Sequence, residues 1–242
     1  MKFTVKIADV HIGIDSIHDE VFRLCNNYIT EGSPDFCVAT NAEDVAFERE
    51  KAMREAAFEH RPYVDFTDSY LETLAVYRKI AVGLLRYDAI LMHGAVVGLH
   101  GEAYLFTAPS GVGKTTHTGF WLKRFPDAFI LNGDKPILRF LDGKVYACGT
   151  PWAGKEGDHT NVILPLRSIC LLTRGEENSI KPIGFGEIYP LLIGQTYRPT
   201  GAEEMTKTMR LIKELGAHTA FYLLKCNLDP NAAIVAFEGM NE

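Results

Sequence analysis

The chain has no run of basic residues, no apolar stretch approaching the ~18 residues of a membrane span, and no closely paired cysteines. Each absence removes a class of function. Without a Lys/Arg stripe, and with a net charge of −6 and an isoelectric point near 5.8, general nucleic-acid binding is not expected. The five cysteines, Cys25, Cys37, Cys148, Cys170 and Cys226, are dispersed and odd in number. With no C-x-x-C pair, neither a disulfide framework nor a zinc knuckle is expected. Most lie in apolar runs, as small core residues do. Internal repeats and low-complexity tracts are missing too. The opening Met1–Lys6 alternates like a strand and lacks the apolar core of a signal peptide. A cytoplasmic protein with no membrane partner is the expectation.

What is present centres on one stretch, Ala108-Pro109-Ser110-Gly111-Val112-Gly113-Lys114-Thr115. Glu102–Thr107 before it reads as a buried strand, and Thr116–Phe125 after it as a helix apolar on one side. A strand, a glycine-bearing turn and Lys-Thr opening a helix make a cradle for a triphosphate. Backbone N–H groups and the positive helix end face the anion. Ser110, Gly111, Val112, Gly113, Lys114, Thr115 and Thr116 are the candidate ATP-binding residues. Lys114 would reach the β- and γ-phosphates, and the Thr115 hydroxyl would ligate Mg²⁺. The standard pattern begins with Gly where this chain has Ala108. Alanine disfavours positive φ, so a less tight first bend is expected.

Around this loop, 242 residues with 47% hydrophobic and 23% charged side chains suit one large domain and a small appendage. Residues 2–14 alternate as one or two strands, Ser16–Tyr28 has helical spacing, and Phe36–Ala39 is a short strand. Asn41 is a plausible N-cap for a helix over Glu43–His60, whose Glu48-Arg49-Glu50-Lys51 run reads as a solvated face. A longer helix spans Ser69–Tyr87 with a core-facing stripe and a basic edge. The expected division is an N-terminal α/β module with its connecting helix, 1–85, and a nucleotide-binding domain, 86–242. In the second part, Ala89–Val97 reads as one strand that turns at Leu99–Glu102 into the strand before the loop. Asp127–Leu131 is the next strand. A hairpin turns at Asp142-Gly143, and Pro165–Thr173 returns as a strand. Helices over Glu187–Thr196 and Ala202–Gly216, a strand at Ala220–Leu224 and a terminal helix complete the order.

Phosphoryl transfer needs a phosphate cradle, a metal clamp and a group that orients or deprotonates the acceptor. Asp134 follows an apolar strand as a metal-binding or general-base carboxylate would, although Asn132-Gly133-Asp134 is also a turn-forming triplet. His93 closes another apolar strand. His117 lies just inside the helix after the loop and is open between a phosphate contact and a surface residue. The glycine-rich loop Gly149–Gly157 carries Thr150, Trp152, Lys155 and Glu156. An exposed Trp with a cation nearby suits a mobile substrate clamp, the alternative being Trp152 tucked into the core. Gln195-Thr196-Tyr197-Arg198-Pro199 breaks a helix and offers Arg198 as an anion contact.

His93-Gly94-Ala95-Val96-Val97, the loop Ala108–Thr115 and Asp134 after an apolar strand together resemble the HPr kinase/phosphorylase family, including the HPr-kinase-like serine kinases of peptide-tailoring clusters. The resemblance covers residues 88–175. It implies an α/β fold: the P-loop core shared with ATP-dependent phosphoenolpyruvate carboxykinases, a mixed sheet flanked by helices, plus the small N-terminal α/β module. Carried over by position, the family's strand-end His falls on His93, its loop Lys and hydroxyl on Lys114 and Thr115, and its catalytic Asp on Asp134. The family has an Asp-Asp pair where this chain has Gly133-Asp134. One carboxylate then serves as metal contact and base, or Lys135 and Glu156 share the work. The family's second signature, needed to bind HPr, is missing, so another acceptor is expected.

The resulting expectation is an ATP- and Mg²⁺-dependent kinase acting on a hydroxyl of a small molecule or peptide. Asp134, His93 and Lys114 would be catalytic, and Thr115 and Asp134 would hold the metal. Thr150, Trp152, Lys155, Glu156 and Arg198 would face the substrate. The alternative is an ATP-binding regulatory or partner protein without transfer. A carboxykinase acting on a keto acid is disfavoured, because no cluster supplies Mn²⁺ ligands.

Overall fold

The computed structural model describes all residues, Met1–Glu242, and the chain divides into two compact units, Met1–Leu84 and Leu85–Glu242. No helix is long and apolar enough to cross a membrane.

In the first unit, β1 (Lys2–Ile7) and β2 (Val10–Asp15) form an antiparallel hairpin, and β3 (Phe36–Ala39) adds to β2 in parallel. The two-residue turn Ala8-Asp9 has positive φ at both positions, the geometry whose twist matches the flanking strands. Alternation buries Val5, Ile7, Val10, Ile12 and Ile14. Three helices complete the unit: α1 (Glu20–Leu24), α2 (Ala42–Phe58) and α3 (Asp68–Leu84). Asn41 caps α2 in a capping box with Asp44. Helix α3 buries Leu71, Ala75, Val76, Ile80 and Leu84.

Two expectations are corrected here. Ser16–Tyr28 is not one helix, because the Ile17 and His18 amides donate to the Glu72 carboxylate at 2.6 and 2.7 Å instead of entering a helical ladder. Only Glu20–Leu24 is α-helical, followed by a 3₁₀ turn at Asn26–Tyr28. Glu48 does not belong to a solvated face: it is 2% exposed, and its Oε1 accepts from Arg78 Nε at 2.6 Å. Periodicity places a residue on a helix but does not reveal that a second helix brings a guanidinium to it.

The second unit is a nine-stranded mixed sheet with helices on both faces. Its elements are β4 (Ala89–Leu91), β5 (Ala95–Leu99), β6 (Glu102–Thr107), α4 (Lys114–Arg124), β7 (Phe129–Asn132), β8 (Ile137–Leu141) and β9 (Lys144–Cys148). Then come β10 (Ile163–Arg174), β11 (Ser179–Pro182), α5 (Phe185–Gln195), α6 (Ala202–His218), β12 (Ala220–Cys226) and α7 (Ala232–Gly239). The main strand order is β4-β8-β9-β10-β6-β5-β7. Strand β12 pairs with β10 and with β11. Strand β10 runs parallel to β6 and β12, whereas β5 runs antiparallel to both β6 and β7.

Strand β6 shows why the sheet is covered twice. Ala103 and Leu105 enter a core with Ile188, Leu192, Leu211 and Leu215 of α5 and α6. Tyr104 and Phe106 enter another with Trp121 of α4 and Ala233 and Ala236 of α7. A strand buried on both faces reads as a continuous apolar run, as this one does.

The expected single strand Ala89–Val97 breaks at Met92-His93-Gly94. There the backbone leaves the ladder: His93 N donates to Gln195 O at 2.7 Å and Gly94 N to Asp134 O at 3.0 Å. That break joins His93 to the segment carrying Asp134.

Candidate active site

The loop between β6 and α4 turns through Gly111 at φ 78° and Gly113 at φ 121°, conformations that L side chains rarely adopt. Ala108 is fully buried and is not among the positive-φ residues, so the first bend does not need glycine. Gly113 caps α4, and Lys114, Thr115 and Thr116 open it, so their amides lie in the first turn where no intrahelical acceptor exists. Arg174, at the end of β10, donates from Nη2 to Gly111 O at 2.8 Å and ties the loop to the sheet. Nothing in the sequence pattern singled out Arg174. The parallel pairing of β10 with β6 brings it there.

Asp134 is held by a scaffold below it. Asn132 is fully buried; its Oδ1 accepts from the Asp134 and Lys135 amides at 2.9 and 2.6 Å. Its Nδ2 donates to Thr150 O at 3.0 Å, and the Thr150 hydroxyl donates to Lys135 O at 2.8 Å. Asn132 was legible only as a turn former. The Asp134 carboxylate meets His93 Nε2 at 3.0 Å through Oδ1, and Lys135 Nζ lies 3.5 Å from Oδ2. Burial pushes this carboxyl up, but the His93 hydrogen bond and the Lys135 charge outweigh burial and hold it below the usual range.

A cavity of about 540 Å³ opens between these parts. His93, Ser110, Gly111, Gly113, Lys114, Thr115, Thr116 and Asp134 line it, and so do Lys155 and Glu156 from the loop after β9. Lys114 Nζ donates to Ala108 O at 3.1 Å within its own loop. Burial, opposed by Asp134 and aided by Lys135, draws its ammonium below the ordinary value. An anion arriving at Lys114 therefore meets a partly desolvated cation and a set of unpaired first-turn amides, an arrangement suited to phosphate.

Other candidates lie elsewhere. Thr150 is 1% exposed and serves the Asp134 scaffold, so it does not face a substrate. Trp152 is 9% exposed, which corrects the expectation of an exposed aromatic clamp. The Val112 side chain packs against the core behind the loop, and its backbone stays between Gly111 and Gly113, which line the cavity. Arg198 is exposed and lies outside the cavity lining, following a segment whose Tyr197 amide is spent on Leu91 O. His117 is buried: its Nε2 accepts from Trp121 Nε1 at 3.1 Å, its ring packs on Phe106, and burial drops its pKa to about 4. A neutral imidazole in the core makes no phosphate contact.

Gly133 stands where the resembling family has a carboxylate. A Cβ built there would sit 2.9 Å from the Ala153 carbonyl oxygen, and the Gly133 amide donates to Asp158 O at 3.0 Å. The loop closes on this position so tightly that a second Asp would have to displace it.

No family model and no curated protein matches the chain. Among solved structures it is similar to the HPr(Ser) kinase/phosphatase from Coxiella burnetii, with 9% sequence identity over 62% of this chain and 93% of that chain and a TM-score of 0.38. The likeness is distant.

Proposed function

We propose that the chain is an ATP- and Mg²⁺-dependent kinase that transfers a γ-phosphoryl group to a hydroxyl of a small molecule or peptide. The observation that carries this reading is the His93–Asp134 pair at 3.0 Å in the same cavity as Lys114 and Thr115. Phosphoryl transfer asks a protein chiefly for positioning and charge stabilisation, and these four side chains offer both.

No group of three or more His, Cys, Asp or Glu side chains forms a ready metal cage. Thr115 and Asp134 offer one hydroxyl and one carboxylate. This all-oxygen set fits Mg²⁺, which completes its shell with phosphate oxygens and water. Bound there, Mg²⁺ would neutralise charge on the phosphate oxygens. The first-turn amides of α4 and Lys114 bind and orient the polyphosphate. Asp134 accepts the hydroxyl proton of the acceptor, and His93, by occupying Oδ1, leaves Oδ2, with Lys135 at 3.5 Å, to take it. A carboxylate held below its usual pKa is a weak base, so Asp134 orients the hydroxyl early and takes its proton late. That order suits a loose transition state, in which the nucleophile needs little activation. Lys155 and Glu156 at the cavity mouth are the proposed acceptor contacts.

One observation favours the rival, an ATP-binding regulatory or partner protein without transfer: the loop leaves no room for a second carboxylate at Gly133. Calorimetric titration with a non-hydrolysable ATP analogue, with and without Mg²⁺, tests the site. Phosphate release or transfer above the level of an Asp134→Asn control then separates kinase from binder. Magnesium-dependent binding with no turnover above that control would leave the binder reading standing.

A further inference from the structure

Helix α4 carries a glycine in its middle, Gly119, at a cost of about 1 kcal/mol of helix stability relative to alanine. A central helix glycine usually makes room for something packed against it. Here nothing does: a Cβ built on Gly119 would meet no heavy atom within 4 Å. The space belongs to the cavity, whose wall Gly119 shares with Thr118, Leu122 and Ile130. Leu122 is 41% exposed, an apolar side chain left open to solvent.

Helix spacing places the Leu122 end of this wall away from the chemistry. Leu122 lies eight residues along α4 from Lys114, about 12 Å at 1.5 Å per residue. His93, Lys114 and Asp134 give the cavity wall charged groups, and Leu122 and Ile130 give it apolar surface beside Gly119 and Thr118. An acceptor hydroxyl has to sit beside Asp134. The γ-phosphate has to sit there too, so the rest of the nucleotide must extend away from Asp134.

We propose that the Gly119–Leu122–Ile130 slot receives the nucleoside end of the nucleotide, with Gly119 kept bare so that its flat base or sugar can lie against the helix backbone. This rests on the nucleotide reading above and adds to it a specificity-determining position. Leu122 and Ile130 offer the base apolar surface, so the slot should accept purine nucleotides with little discrimination between bases.

The test compares binding of a non-hydrolysable ATP analogue with binding of inorganic tripolyphosphate, which has no nucleoside, both with Mg²⁺. Gly119→Leu should weaken the analogue at least tenfold and leave tripolyphosphate within about twofold, while thermal stability is kept or raised. Leu122→Ala, at an exposed position, should weaken the analogue about threefold with the same selectivity. If both variants leave the analogue unchanged, or weaken both ligands equally, the proposal is overturned. If the wild-type chain binds neither ligand, the nucleotide reading itself falls and takes the slot with it.

Discussion

Two clusters of charged side chains, one in each unit, look alike in composition and differ in closure. In the first unit Asp44 meets Arg78 at 3.1 Å and Lys79 at 2.6 Å, and Glu48 meets Arg78 at 2.6 Å. Glu72, with a fully buried side chain, accepts from the Ile17 and His18 amides, His18 Nδ1 and the Thr40 hydroxyl. Each of these carboxylates is surrounded by donors from its own unit. In the second unit Asp134 Oδ2 has only Lys135 at 3.5 Å, and the three-donor ammonium of Lys114 is matched to a single carbonyl of its own loop. Satisfied networks hold a shape. An incomplete one facing a cavity has capacity left for a ligand, and that contrast, more than the number of charges, distinguishes a candidate site from a structural knot.

The sharpest way to break the comparison is to remove one carboxylate from each cluster. Asp134→Asn keeps the shape and the His93 contact but removes the proton acceptor. Phosphoryl transfer should fall by about 10²–10⁴-fold, with binding of the ATP analogue measured without Mg²⁺ changed less than threefold; equal loss of both would remove Asp134 from the transfer step. Glu72→Ala should do the opposite. Four donors lose their acceptor, at a cost of about 3–5 kcal/mol to the first unit, while nucleotide binding is retained. Hydrogen exchange resolved by segment would show the loosening within residues 1–84, and loss of nucleotide binding in this variant would contradict the separation of roles.

How much of this was visible in the sequence follows the range of the interaction. The loop, its flanking strand and helix, the Asn41 cap and the Asp142-Gly143 hairpin are set by residues within a few positions of one another, and local pattern shows them. Glu48 looked like surface because its partner Arg78 is 30 positions away. Trp152 was open between clamp and core because its burial depends on a loop closing over the end of β7. Arg174 reaches Gly111 across 63 positions through strand pairing, which no local signal encodes. Gly119 was readable as a helix glycine, but only its place on the cavity wall gives that glycine a meaning.

The two units should also part company on acidification. His117 is buried with its Nδ1 unpartnered, and burial lowers its pKa to about 4 from an unfolded value near 6.5. Below pH 6.5 the unfolded chain binds a proton that the folded one refuses, so stability is fully present above that value and is lost as the pH falls toward about 4. The loss approaches about 3 kcal/mol at the lower end. Asp44 and Glu72, held below the usual carboxylate range, contribute stability that persists down to about pH 4 and is lost only below it. Both tryptophans, Trp121 and Trp152, lie in the second unit. Tryptophan fluorescence in a denaturant series at pH 4–7 should therefore show the second unit weakening as the pH falls. His117→Gln should flatten that dependence, and an unchanged slope would place the acid sensitivity elsewhere.

The smallest expected effect is at Lys114, and it bears on how open the second cluster is. Lys114→Ala removes a charged hydrogen-bonding partner of about 1.5–3 kcal/mol, which is ~10–100-fold in nucleotide affinity. Because the ammonium acts on phosphate, tripolyphosphate should lose affinity by the same factor as the ATP analogue. Arg78→Met, which opens the closed cluster, should change neither. Lys114 also gives up its bond to Ala108 O or shares it when phosphate arrives, so part of its attraction is spent on replacing an existing contact. That places the expected loss toward the lower end of the range. A loss larger than the range would mean that the lysine holds the empty loop in shape as well, and that the open cluster is more tightly organised before binding than its one carbonyl contact indicates.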